Sequence, residues 1–128
     1  MPRFSDYKAA AKERGSLALE LYAVISTPAV APEEMQKHLP AHLAFQQARE
    51  TDRALFLAGP LSDLAGDNIE GVGLIIYRAE SLEAARAIAD ADPMHASGAR
   101  TYEIRRWLVN EGSLRLDAGL STGGVSLS

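Results

Sequence analysis

The side chains best suited to chemistry at neutral pH are His38, His42, His95, the aspartate of the Asp92-Pro93 step and a few arginines, Arg49 among them. His38 and His42 stand four apart, a spacing that can put two imidazoles on one helical face for a metal. Asp92 would be the third ligand of such a site. The motif lacks the HExxH form and has Pro40 inside it, so ordinary polar placement is the expectation and no metal is assigned. On a helical wheel, Ala41, Ala44, Phe45 and Ala48 make one apolar face and Leu39 and Leu43 a second strip, with His42 and Arg49 between them. A helix of that design suits the wall of a cleft. A half-buried histidine bonded to a backbone carbonyl is the equally weighted alternative.

Asp92 invites two readings. An Asp-Pro step commonly starts a turn, the carboxylate capping the amide of Met94 or His95. Alternatively the carboxylate accepts from one ring nitrogen of a histidine, which fixes the tautomer and strengthens the other nitrogen as a general base. Taken alone, the residues favour the turn. Other chemistries are absent. With no cysteine there is no disulfide, thiolate metal site or thiol nucleophile. Gly71 and Gly73 fall inside a strand rather than before a helix, so they are no dinucleotide fingerprint, and no GxSxG elbow presents a serine.

The elements that must position these residues follow from periodicity. Ser5 could cap a short helix over Asp6–Arg14, ended at Gly15. Leu17–Ser26 alternates as a strand, with Leu17, Leu19, Leu21, Ala23 and Ile25 on one strongly apolar face. From Pro32 to Thr51 the pattern is helical, and Pro40 predicts a short helix to about His38 followed by a main one. Ala54–Gly59 reads as a strand stopped by Gly59-Pro60, then a loop to Glu70, then a strand over Gly71–Arg78. Ser81 caps a helix over Leu82–Asp90, the Asp-Pro step breaks it, and Thr101–Trp107 is the last strand. The Gly- and Ser-rich tail after Leu108 is expected to be disordered or to strap onto a neighbouring subunit.

This order predicts an α+β domain of ferredoxin-like βαββαβ type, with both helices on one face of four strands. The other face is too apolar to stay wet, which predicts a homodimer or higher homo-oligomer. Three segments are expected: a helical extension over 1–15, the domain over 16–108 and a tail over 109–128. The net charge of −4 and scattered basic residues argue against nucleic acid. No apolar run reaches membrane-spanning length and no signal sequence opens the chain, so the cytoplasm is the expected location.

Five segments in order resemble one family: His38-Leu-Pro-Ala-His42-Leu-Ala-Phe45, Leu57-Ala-Gly59-Pro60, Ser81-Leu-Glu-Ala-Ala85, Asp92-Pro93-Met94 with Gly98, and Glu103-Ile-Arg-Arg-Trp107. Together they are similar to the YCII-related family over roughly Leu17 to Trp107. The resemblance implies a dimeric α/β barrel whose active site pairs a first-helix histidine with the aspartate of the Asp-Pro turn, falling here on His42 and Asp92. Arg53 stands where the family often has glycine, Met94 where an aromatic often follows Asp-Pro, Arg106 where proline is frequent, and His95 is outside the usual pattern.

The resulting expectation is a small-molecule lyase or isomerase, of dehalogenase or muconolactone-isomerase kind, acting on a small unsaturated or aromatic-derived acid. His42 and Asp92 would be its acid/base pair, His95, Arg49 and His38 its substrate contacts, and no cofactor is called for. The alternative is a non-catalytic ligand-binding or accessory dimeric module.

Overall fold

The computed structural model describes Met1–Ser128. Its elements run α1 (Phe4–Glu13), β1 (Leu19–Pro28), α2 (Pro32–Gln36), α3 (Leu39–Thr51), β2 (Leu55–Ser62), β3 (Ile69–Tyr77), α4 (Leu82–Ala91), α5 (Pro93–Ala96), β4 (Arg100–Val109), β5 (Leu116–Ala118) and β6 (Val125–Leu127). Residues 20–107 form one compact unit, and residues 1–19 together with 108–128 form a second. No helix is long and apolar enough to cross a membrane.

The larger unit holds a four-stranded sheet in the order β2-β3-β1-β4. β3 runs antiparallel to β1 from Tyr22–Tyr77 to Ser26–Gly73, and antiparallel to β2 from Leu55–Tyr77 to Ser62–Ile69. Inserting β3 between β1 and β2 is the split βαβ arrangement that the element order requires. Side chains alternate across each strand, so Tyr22 and Val24 of β1 share a face with Ile75 and Tyr77 of β3. That face packs on Ala85 and Ala89 of α4, with Tyr102 and Ile104 of β4 at its margin. The opposite face carries Ile25, Leu57 and Trp107, which are 39%, 57% and 42% exposed.

The two long helices of this unit sit differently. α4 starts cleanly because Ser81 Oγ accepts from the Ala84 amide at 3.0 Å. Its inward alanines are fully buried, since small side chains let the helix lie close to the sheet. α3 has no fully buried residue. Its half-buried positions are Leu39, His42, Phe45, Gln46 and Arg49, whereas Ala41, Ala44 and Ala48 of the expected apolar face are exposed, and the cleft described below opens beside this helix.

Pro40 lies in the first turn of α3 and His38 is its N-cap, as the position of the proline required. Other boundaries differ from expectation. α1 begins at Phe4, so Ser5 lies inside the helix and caps nothing. Pro60 does not stop β2, which continues to Ser62. β2 is an edge strand, where a residue without an N–H removes no ladder bond. The tail forms a small hairpin, with Leu116–Leu127, Asp117–Ser126 and Ala118–Val125 paired.

Gly71, Ala18 and Arg53 all take positive φ, which only the glycine does without strain. Gly71 has φ +99°, and a Cβ added there would lie 2.6 Å from Cγ of the Pro28 ring. Gly71→Ala should therefore lower stability by about 2–3 kcal/mol, read as a drop in the urea midpoint at constant m. Arg53 follows the end of α3 with φ +70°, the left-handed conformation that glycine takes without penalty. Arg53→Gly should raise stability by roughly 0.5–1 kcal/mol, strain relief exceeding the added freedom of the unfolded chain. A lower unfolding midpoint would contradict this.

Candidate active site

Asp92 sits at the junction of α4 and α5 and is fully buried. Its φ and ψ of −61° and 125° break the helix, which Pro93 then restarts in the first turn of α5. Its Oδ1 accepts from the Met94 amide at 2.9 Å, and its carbonyl accepts from the amides of His95 and Ala96. Met94, standing where an aromatic is frequent, is buried as well. The turn role is thus real, and it leaves carboxylate acceptor capacity over.

That capacity faces α3. His42 Nδ1 lies 2.8 Å from Asp92 Oδ1 and 2.9 Å from Oδ2, so the ring donates Nδ1–H to the carboxylate. Capping and imidazole binding coexist on one side chain. His42 is 18% exposed, and its Nε2 makes no bond to the protein. The residue lines a cleft of about 640 Å³ between α3 and the β2–β3 side of the sheet. The wall is mostly apolar, with Leu39, Leu43, Leu55, Phe56 and Ile75 contributing.

The other histidines are placed elsewhere. No group of three His, Cys, Asp or Glu side chains is arranged to hold a metal, so the His38–His42–Asp92 set does not assemble. His38, in the N-cap position of α3, lies off the cleft lining, its carbonyl accepting from the His42 amide. His95 is also off the lining. Its Nδ1 donates to the Ala89 carbonyl at 2.7 Å, and its Nε2 lies 2.8 Å from Ser26 Oγ. Its ring packs on Tyr102, so it is tied into the fold rather than turned toward a ligand.

Arg49 also corrects expectation. It lies seven residues from His42 along α3, and its Nε pairs with Asp52 at 2.9 Å while the guanidinium rests on Phe45. The wheel gave its angle, but the helix end offers it a nearer carboxylate. Arg100, at the start of β4, is the arginine on the cleft wall. Its Nε donates to Ser26 Oγ at 2.8 Å, and its Nη2 donates to the carbonyls of Ser26, at 2.9 Å, and Gly71. Burial lowers its pKa from the usual arginine range, with Asp92 acting in the opposite direction.

Ser26 and Arg100 were not singled out by sequence. A serine following Tyr22 and Val24 on the helix-facing side of β1 was the available signal for the first. Arg106, in the place of a frequent proline, binds Glu20 of β1 through two nitrogens, Nε to Oε2 at 3.1 Å and Nη2 to Oε1 at 3.3 Å. That pair is structural.

Nearby, the hydroxyl of fully buried Tyr77 has no hydrogen-bond partner. Burial, with Asp92 adding to it, pushes its pKa up, so the phenol stays protonated.

Four antiparallel strands with their helices on one face, and a cleft under the first long helix of the unit, define a ferredoxin-like α+β domain. The family model for the YCII-related domain matches residues 20–108, and the chain belongs to that family. It is 35% identical to YjpA of Bacillus subtilis strain 168 over 72 residues, 56% of this chain and 78% of YjpA. To the protein YciI of Escherichia coli O6:H1 it is 38% identical over 73 residues, 52% of this chain and 74% of YciI. Among solved structures it resembles 5-chloro-2-hydroxyhydroquinone dehydrochlorinase (TftG) of Burkholderia phenoliruptrix AC1100, in complex with 2,5-dihydroxybenzoquinone. The TM-score is 0.52 at 19% identity, covering 68% of this chain and 92% of that one, a likeness of fold.

Proposed function

We propose that the chain is a lyase or isomerase that moves protons on a small unsaturated or aromatic-derived acid, with His42 as the acid/base group and Asp92 as its orienting partner. The observation that carries this reading is the 2.8 Å contact between His42 Nδ1 and a carboxylate with no exposure to solvent, with Nε2 left for the cleft. A proton fixed on Nδ1 makes Nε2 the nitrogen that takes or gives a proton. A buried pair could serve the fold alone, and it is the His42 Nε2 left for the cleft that favours the enzyme over the binding-module reading.

The dehydrochlorinase of like fold suggests the first substrates to try. Loss of HCl from a chlorinated hydroxyhydroquinone removes two hydroxyl protons, delivers one proton to the chlorine-bearing carbon and expels chloride. The ring becomes a quinone without an external oxidant. A single imidazole can serve such an exchange, taking a hydroxyl proton and returning one to carbon. The test is chloride release from 5-chloro-2-hydroxyhydroquinone and related halogenated hydroxyquinols. The expected result is turnover by the wild-type chain that Asp92→Asn and His42→Gln both lose. Equal turnover in all three proteins would reject the assignment.

The exposed side chains of Ile25, Leu57 and Trp107, on the sheet face away from α4, support pairing with a second copy of the chain. Sedimentation at micromolar concentration should show a dimer or a higher oligomer, and a monomer would count against it.

A further inference from the structure

The cleft is electrically graded, and that bears on what it takes. Arg100 is the sole cationic side chain on its wall apart from what His42 can carry, and Glu50 is the sole carboxylate. The two lie at opposite ends. Arg100 is bound to Ser26 and Gly71, and Ser26 pairs across the sheet with Gly73, which faces Pro60. Glu50 lies eight residues beyond His42 on α3, roughly 12 Å along the helix axis, near Leu55. His42 stands between them.

Arg100 is held by uncharged acceptors, and Asp92 acts on it electrostatically from beyond ion-pair distance. Nε–H goes to Ser26 Oγ, both Nη2 hydrogens go to the carbonyls of Ser26 and Gly71, and Nη1 reaches the Met35 sulfur at 3.4 Å. No carboxylate lies within ion-pair distance of it. One Nη1 hydrogen has no acceptor in the protein. A guanidinium taken partly out of water normally finds an anion, because uncharged acceptors do not compensate its charge.

The mounting is elaborate for an arginine with no carboxylate in direct contact. Gly71, with a φ of +99°, accepts from Arg100 Nη2 through its carbonyl. Ser26 Oγ can accept from Arg100 Nε while donating its own hydrogen to His95 Nε2, because His95 Nδ1–H is committed to the Ala89 carbonyl. Donors and acceptors run in one direction along this chain. It begins at a guanidinium fixed at the cleft wall and ends on the Ala89 carbonyl.

We propose that the ligand of this cleft carries an oxyanion, a carboxylate or an ionised vinylogous acid, and that Arg100 anchors it at the Ser26–Gly71 end. The proposal rests on the cleft being the substrate site. It assigns to Arg100 the anion-holding role that Arg49, committed to Asp52, does not fill, and it makes Ser26 and His95 positioning residues for Arg100. An anion held there would direct the remainder of a flat molecule past His42 Nε2 toward the Glu50 end.

The test compares 2,5-dihydroxybenzoquinone, which ionises at neutral pH as a vinylogous acid, with uncharged 2,5-dimethoxybenzoquinone. Binding is measured by titration calorimetry. The wild-type chain should prefer the ionised compound by about tenfold or more, as one charge-assisted contact would give, and Arg100→Gln should abolish the preference. In the wild-type chain the Arg100 Nε–Hε resonance should shift with the ionised compound and not with the neutral one, a readout that needs no variant. Equal binding of the two compounds, no binding of either at millimolar concentration, or an unchanged preference in a folded Arg100→Gln protein would overturn the assignment. Anion preference without chloride release from any hydroxyquinol would instead sink the proton-transfer reading and leave the anchor standing.

Discussion

Replacing His42 by glutamine should lower kcat/KM for hydroxyquinol elimination by about 10²–10⁴-fold, the usual contribution of a positioned acid/base group. Glutamine is the informative choice because its amide can still donate toward Asp92, so the buried carboxylate keeps a partner. It cannot take up a proton. The loss should fall on kcat more than on KM, since the missing interaction belongs to the transition state. Alanine would mix two effects, because it also leaves the carboxylate with only the Met94 amide. Turnover of His42→Gln within a few-fold of wild type would remove His42 from the chemistry.

Asp92→Ala should cost about 2–4 kcal/mol of folding stability, one of the largest single-residue effects in the chain. Asp92 has no solvent exposure, and its carboxylate serves the Met94 amide and the His42 ring together. Removing it strands both donors and takes away the cap of α5. Asp92→Asn should lose well under half as much, because the amide oxygen can keep the Met94 bond. Its NH₂ group then faces His42 and favours the wrong tautomer. Stability and activity should therefore separate: alanine unfolds early, whereas asparagine stays folded and inactive. Urea titration at constant m checks the first, and an Asp92→Ala midpoint equal to wild type would contradict it.

Much of this architecture is legible in the residues. Alternation in β1 and the alanine stripe of α4 mark which side chains meet, and Pro40 in its helical context separates α2 from α3. The pairing of His42 with Asp92 came from the family resemblance. Fifty residues separate the two, and local pattern carries no distance across such a gap. Pro60 misled because a proline ends a strand in the middle of a sheet but not on its edge, and edge position is a property of the whole topology. Arg49 misled because a wheel gives direction without reach, and Asp52 lay nearer than the cleft. Arg100 escaped notice because nothing local marks a strand-opening arginine as cleft-lining. Its role depends on Ser26 and Gly71, which are 74 and 29 residues away. The expectation of a disordered tail misled through composition, since a glycine-rich segment can close a hairpin as readily as stay unpaired.

The proposed chemistry requires the proton of the neutral His42 ring to sit on Nδ1. A long-range ¹H–¹⁵N correlation spectrum of the labelled chain reads this directly from the nitrogen shifts. The prediction is a protonated Nδ1 and a bare Nε2, with that assignment lost or reversed in Asp92→Asn. A neutral ring carrying its proton on Nε2 in the wild-type chain would contradict it, since the nitrogen facing the cleft could then accept nothing.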